Sequence, residues 1–107
     1  MRLTKDEQAR LKKLVRRLRD EAGAKEIYLY GSAARGELEE GSDIDLLIVL
    51  PEVTWEIEKR ISGLCFEAEI EAGRVFSAIC FSEHELLETP LRASPIVLAA
   101  KREGIAL

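Results

Sequence analysis

Asp43-Ile44-Asp45 sets two carboxylates two residues apart at the head of an apolar run that continues through Leu46, Leu47, Ile48, Val49 and Leu50. Such a run reads as a largely buried strand. Strand side chains alternate between faces, so both acids project from the same side of the sheet. An unpaired carboxylate within that run would cost several kcal/mol by burial, so Asp45 must face a ligand, a metal or a cation. Two oxygen donors on one face suit Mg²⁺, which prefers octahedral oxygen ligation, keeps several waters and bridges carboxylates to substrate phosphates. Upstream, Gly31-Ser32 follows the short run Ile27-Tyr28-Leu29-Tyr30 and so lies at the carboxyl end of an earlier strand. Gly31 lets backbone approach a phosphate closely, while the Ser32 hydroxyl and the N–H groups of a following helical turn supply donors to its oxygens. The two halves together describe a nucleoside triphosphate site. Each alone has a plainer reading, since Gly-Ser is a common turn and Asp43 after Ser42 can simply end a strand.

The elements that position these residues are legible from periodicity. Thr4 with Glu7 forms a capping box, and Leu11, Leu14, Val15, Leu18 and Ala22 then recur at helical spacing until Gly23 stops the helix. Its other faces carry Arg10, Lys12, Lys13, Arg16, Arg17 and Arg19, either a solvated face or a platform for RNA or an acidic partner. Residues 27–30 form the first strand, and the polar stretch 31–42 holds one short helical turn after Ser32. The second strand is expected over residues 43–50, ended by Pro51. From Thr54 to Ala72, the residues Ile57, Ile61, Leu64, Cys65, Ala68 and Ala72 line one helical face, with Trp55, Phe66 and Ile70 on the other. A helix apolar on two sides is either sandwiched in the fold or turns its second face to a partner. A third strand is expected over residues 75–81. Ser82 with Glu85 caps a short helix carrying Leu86 and Leu87, with His84 exposed on it, and Ser94-Pro95 opens a last helix that Gly104 closes.

Length and composition bound the rest. The 107 residues correspond to one domain, residues 1–107, able to bury roughly 65% of its unfolded surface. The formal net charge of −4 argues against general nucleic-acid binding by the whole surface. Among the 20 acidic residues only Asp6, Asp20, Asp43 and Asp45 are Asp, which makes a pair of them on one strand pointed rather than decorative. No apolar run approaches the roughly 20 residues a membrane span needs, and the first residues show no apolar signal core, so a cytoplasmic location is expected. Cys65 and Cys80 read as buried thiols, because a lone histidine cannot complete a zinc site with them.

Gly31-Ser32, ten residues, then Asp43-Ile44-Asp45 and an apolar strand resembles the signature of the minimal nucleotidyltransferases of the DNA polymerase beta superfamily. The surrounding residues 28–37 and 41–49 are similar to that core, as is the tail from Glu103 to Leu107. The resemblance implies an α/β (α+β) fold, a small mixed sheet of at least three strands packed on one side by about four helices. It also implies two Mg²⁺ ions and transfer of a nucleoside monophosphate, AMP above all, to an acceptor with release of pyrophosphate. Asp43 and Asp45 would then be the catalytic metal ligands, and Gly31 and Ser32 would hold the terminal phosphates. Arg35 would balance charge on the leaving pyrophosphate, or else form a surface ion pair with Glu39. Family members commonly add a third carboxylate on a later strand. Here Ser77 stands in that place, and Glu69 and Glu71 read as solvated rather than as substitutes.

Two functions follow. As an enzyme, the chain would modify a protein or RNA acceptor brought by another chain, in the manner of antitoxins paired with HEPN-type toxins. As a binding module lacking the third acid, it would act by contact through the Trp55, Phe66 and Ile70 face. An exposed strand edge on so small a sheet favours a homodimer or a heterocomplex.

Overall fold

The computed structural model describes residues 2–107. Helix α1 spans Lys5–Ala22. Its capping box forms as the residue types require: the Glu7 backbone N–H donates to the Thr4 hydroxyl at 3.1 Å, and the Thr4 N–H donates to the Glu7 carboxylate at 2.8 Å. These bonds satisfy amide groups that the first helical turn leaves without partners. Strand β1 is Glu26–Tyr30, the short helix α2 is Gly31–Arg35, and β2 is Ile44–Leu50. Helix α3 runs Trp55–Ala72 from a Thr54 cap, followed by β3 at Phe76–Ser82 and α4 at Glu83–Glu88. A 3₁₀ turn at Pro90–Ala93 leads to α5, Pro95–Glu103, and to a two-residue strand β4, Ile105–Ala106.

The sheet has the order β3-β2-β1-β4. β1 is antiparallel to both of its neighbours, whereas β2 and β3 run parallel, joined by α3 as a crossover. The sheet is therefore mixed, with four strands rather than the three readable from sequence. β4 escaped because two residues carry no measurable alternation. Asp43 lies one residue before β2 and not within it, and β3 is displaced by one residue from the expected 75–81. In β2 the run is buried end to end except at Asp45.

Helices cover both faces, which corrects the expectation of one-sided packing. Ile27, Leu29, Ile44, Leu46, Ile48, Leu50 and Phe76 pack beneath α1 and α3. Leu47, Val49 and Phe81 face the other way, onto Leu86 of α4 and Val97 and Ala100 of α5. This second face needs α5 because a strand apolar on both sides exposes Leu47 and Val49 unless something lies over them.

The basic side of α1 is largely spent on α3. Arg10 and Lys13 pair with Glu71 at 3.1 and 3.3 Å, and Arg17 bridges Glu21 and Glu67. Each such exposed pair contributes little alone, and the buried Leu11, Leu14 and Leu18 hold α1 in the core. Cys65 is buried as expected, while Cys80 is only half-buried. Burial, followed by Glu69 and Cys80, pushes the Cys65 thiol up to about 11, and burial followed by Glu58 does the same for Cys80. No helix among the described residues is long and apolar enough to cross a membrane.

Candidate functional site

The site forms where β1 gives way to α2. Tyr30 is paired with Asp45 across the β1–β2 ladder, and Asp45 is paired with Ser77 across β2–β3. Cross-strand partners project from one face, so Tyr30, Asp45 and Ser77 form a row on the face that α5 covers further along. Gly31 begins the turn with φ +72°, and a Cβ there would lie 2.5 Å from Asp45 Oδ2. Only glycine tolerates both that dihedral and that approach. The turn and the carboxylate are thus pressed together, as the sequence spacing implies. Ser32 follows in the first turn of α2, whose N-cap Tyr30 offers no side-chain hydrogen bond to the helix start.

Asp45 is half-buried and Asp43 exposed. Burial in the first place, and the Asp43 charge in the second, raise the Asp45 carboxyl above its ordinary range. Tyr30 is raised likewise, by burial and then by Asp45. Burial and a like charge both disfavour the ionised form of Asp45, and a bound cation would favour it. Among the described residues no group of three or more His, Cys, Asp or Glu converges on a common point. The pair is unaccompanied, and Ser77 occupies the neighbouring position. Glu69 and Glu71 are neither substitutes nor simply solvated: Glu69 accepts from the Phe76 N–H at 3.2 Å and Glu71 binds Arg10 and Lys13. Arg35, at the far end of α2, pairs with Glu37 at 3.0 Å and not with Glu39. The exposed His84 pairs with Glu88 at 3.0 Å.

Two residues that carry no recognisable pattern in sequence hold the loop that delivers Asp43. Leu38 is fully buried and anchors its middle. Arg74 donates from one guanidinium nitrogen to the Ser42 carbonyl at 2.8 Å and the Glu39 carbonyl at 3.1 Å, and from Nε to Glu7 at 2.6 Å. The Arg74 and Glu7 side chains are 11% and 10% exposed, so this is a nearly buried ion pair. The only advance signal is that Arg74 immediately precedes an apolar strand, which is too common to single out.

Residues 11–96 match the family model described as a nucleotidyltransferase domain. The chain belongs to the nucleotidyltransferase domain family. A solved structure described as a minimal nucleotidyltransferase is 31% identical with a TM-score of 0.63, the match covering 94% of this chain and 91% of that one. A second, the toxin–antitoxin pair MntA–HpeT in a mutant form, is 20% identical with a TM-score of 0.60, covering 94% of this chain and 70% of that one, and shares the fold. No curated protein matches the chain in sequence. The nucleotidyltransferase fold, related to the DNA polymerase beta superfamily, thus agrees with the resemblance read from residues 28–49.

Proposed function

We propose that this nucleotidyltransferase moves a nucleoside monophosphate, AMP as the leading case, from a nucleoside triphosphate to a protein or RNA acceptor. The observation that carries the reading is the contact of the Gly31 turn with Asp45, which sets a phosphate-binding backbone against a carboxylate held at raised proton affinity. The fit to Mg²⁺ is chemical: two carboxylates near enough for the Asp43 charge to raise Asp45 leave room for the waters and phosphate oxygens that this ion retains. Bound there, up to two Mg²⁺ ions would supply charge stabilisation at the transferring phosphoryl group. Asp43 and Asp45 hold the metal and orient the triphosphate. Ser32 and the amide of Gly31 hold its terminal phosphates, while Arg35, expected to balance pyrophosphate charge, is paired with Glu37 on the other flank of α2 and takes no part in this reading.

In this reading the acceptor is a hydroxyl of a second macromolecule, a protein or an RNA. A toxin of the HEPN type is the partner this reading favours, supported by the shared fold with the MntA–HpeT complex. Ser77 in the row with Asp45 supports a second reading, in which nucleotide and partner are bound and transfer is slow for want of a third carboxylate. Losing a general base typically costs 10² to 10⁴ in rate.

Calorimetric titration of ATP, GTP, CTP and UTP, with and without Mg²⁺, tests the site before any acceptor is known. Binding that requires Mg²⁺ and is lost in the Asp43→Asn/Asp45→Asn double variant is the expected result. Nucleotide binding unchanged in that variant would remove the two carboxylates from the site. Labelled-nucleotide transfer to a co-purified partner then separates the two readings.

A further inference from the structure

On the opposite flank of α2 from Asp45, the structure opens a groove of about 840 Å³ between α1, α2 and the β4 tail. Its rim carries Arg2, Lys12, Arg16, Arg19 and Arg35, and no Asp or Glu side chain lines it. The chain as a whole is acidic, with net charge −4, so this is a local inversion of sign. The floor is aliphatic, made by Leu11, Val15, Leu29, Ala33 and Ile105. The α1 cations divide accordingly. Arg10, Lys13 and Arg17 are neutralised by α3 carboxylates, and Arg19 donates to a Leu107 main-chain oxygen at 2.6 Å. Lys12 and Arg16, on the groove side, make no ion pair among the described residues, and both are exposed.

We propose that this groove is a docking site for an acidic amphipathic segment of a partner protein, with its apolar side chains on the aliphatic floor and its Asp and Glu side chains on the cationic rim. Charge complementarity selects the acidic partner. The absence of any aromatic side chain from the lining disfavours single-stranded RNA, whose bases need stacking platforms. The helix-bounded, apolar trough is the form that receives amphipathic peptides through anchors spaced i, i+3, i+4 and i+7. Ala33 and Ala34 of α2 belong to its wall, so a seated segment touches the back of the same short helix whose front carries Ser32. The proposal stands whether or not nucleotide transfer occurs.

The test is fluorescence anisotropy with a labelled helical peptide of about 15 residues, roughly four turns, bearing Leu at the anchor spacing and Glu on both flanks. Saturable binding is expected, weakened about tenfold or more by Lys12→Glu/Arg16→Glu and also by Ile105→Glu. Circular dichroism melts of these variants should match the parent, because all three positions are exposed. Equal affinity for a peptide of the same composition with Leu scattered around the helix would overturn the proposal by reducing it to charge alone. So would failure of the peptide to bind, or its displacement at lower concentration by oligouridylate or by dodecanoate. ATP titration of the same samples reports the nucleotide site separately, so neither failure is mistaken for the other.

Discussion

Asp45 carries an electrostatic cost in the folded chain. Burial and the Asp43 charge raise its carboxyl in the folded chain above the value of about 3.9 expected when unfolded. Between those two values the folded state binds more protons than the unfolded one, so stability falls as pH rises across that window, and the full penalty stands above it. Asp45→Asn removes the penalty. In the presence of a chelator at neutral pH, this variant should melt above the parent, and the gain should vanish as pH falls below about 4. Added Mg²⁺ should stabilise the parent by mass action and leave the variant unmoved. Scanning calorimetry across pH checks both, and a variant no more stable than its parent would show that Asp45 is not electrostatically strained. Both acids and the glycine opposite them are readable in sequence because their types are costly anywhere else: a carboxylate in an apolar strand and a glycine before a helical turn each demand a reason.

At the scale of elements, the loop preceding Asp43 is held by its neighbours more than by its own turns. Arg74 ties its Ser42 and Glu39 carbonyls to Glu7 in the first turn of α1, linking the start of one helix, the entry to β3 and the approach to β2. Burial pushes the Glu7 carboxyl up, but the Thr4 backbone N–H, the Arg74 guanidinium and the Thr4 hydroxyl outweigh it and hold the group below its usual range. The stability this contributes is present above the unfolded value of about 4.3 and is lost as pH falls through the lowered folded value. Arg74→Ala strands Glu7 without its partner, which should cost about 3 kcal/mol in urea denaturation at neutral pH. The same variant should weaken Mg²⁺-dependent nucleotide binding by loosening Asp43. Arg74→Lys keeps the charge but not the geometry that reaches three oxygens from one guanidinium, so it should recover part of the stability and little of the binding. The capping boxes at Thr4 and Ser82 were legible because their partners lie three residues away. Arg74 was not, because its three acceptors come from positions 7, 39 and 42.

At the scale of the whole molecule, one side of α3 turns an apolar stripe outward. Trp55, Phe66 and Ile70 are 70%, 61% and 69% exposed, which resolves the helix's two apolar faces into one that packs on the sheet and one that does not. Beside them β3 is an edge strand without a charge or a proline, the features that ordinarily protect an edge. Replacing Trp55 and Phe66 together by Ser should leave the free chain's stability within about 0.5 kcal/mol. If this face meets another protein or a second copy, the same change reduces the assembled mass seen by light scattering; an unchanged mass would assign assembly elsewhere. The sequence by itself determined the helix α1 and its cap, the three longer strands, the two-faced α3 and the approach of the Gly31 turn to Asp45, since each follows from spacing within a short window. Only the tertiary structure decided that helices cover both sheet faces, that β4 closes the far edge, that Arg74 fixes the Asp43 loop, and that Lys12 and Arg16 face a groove while Arg10, Lys13 and Arg17 are consumed by α3. Those outcomes depend on which distant segments meet, and a local pattern of residues holds no record of its future neighbours.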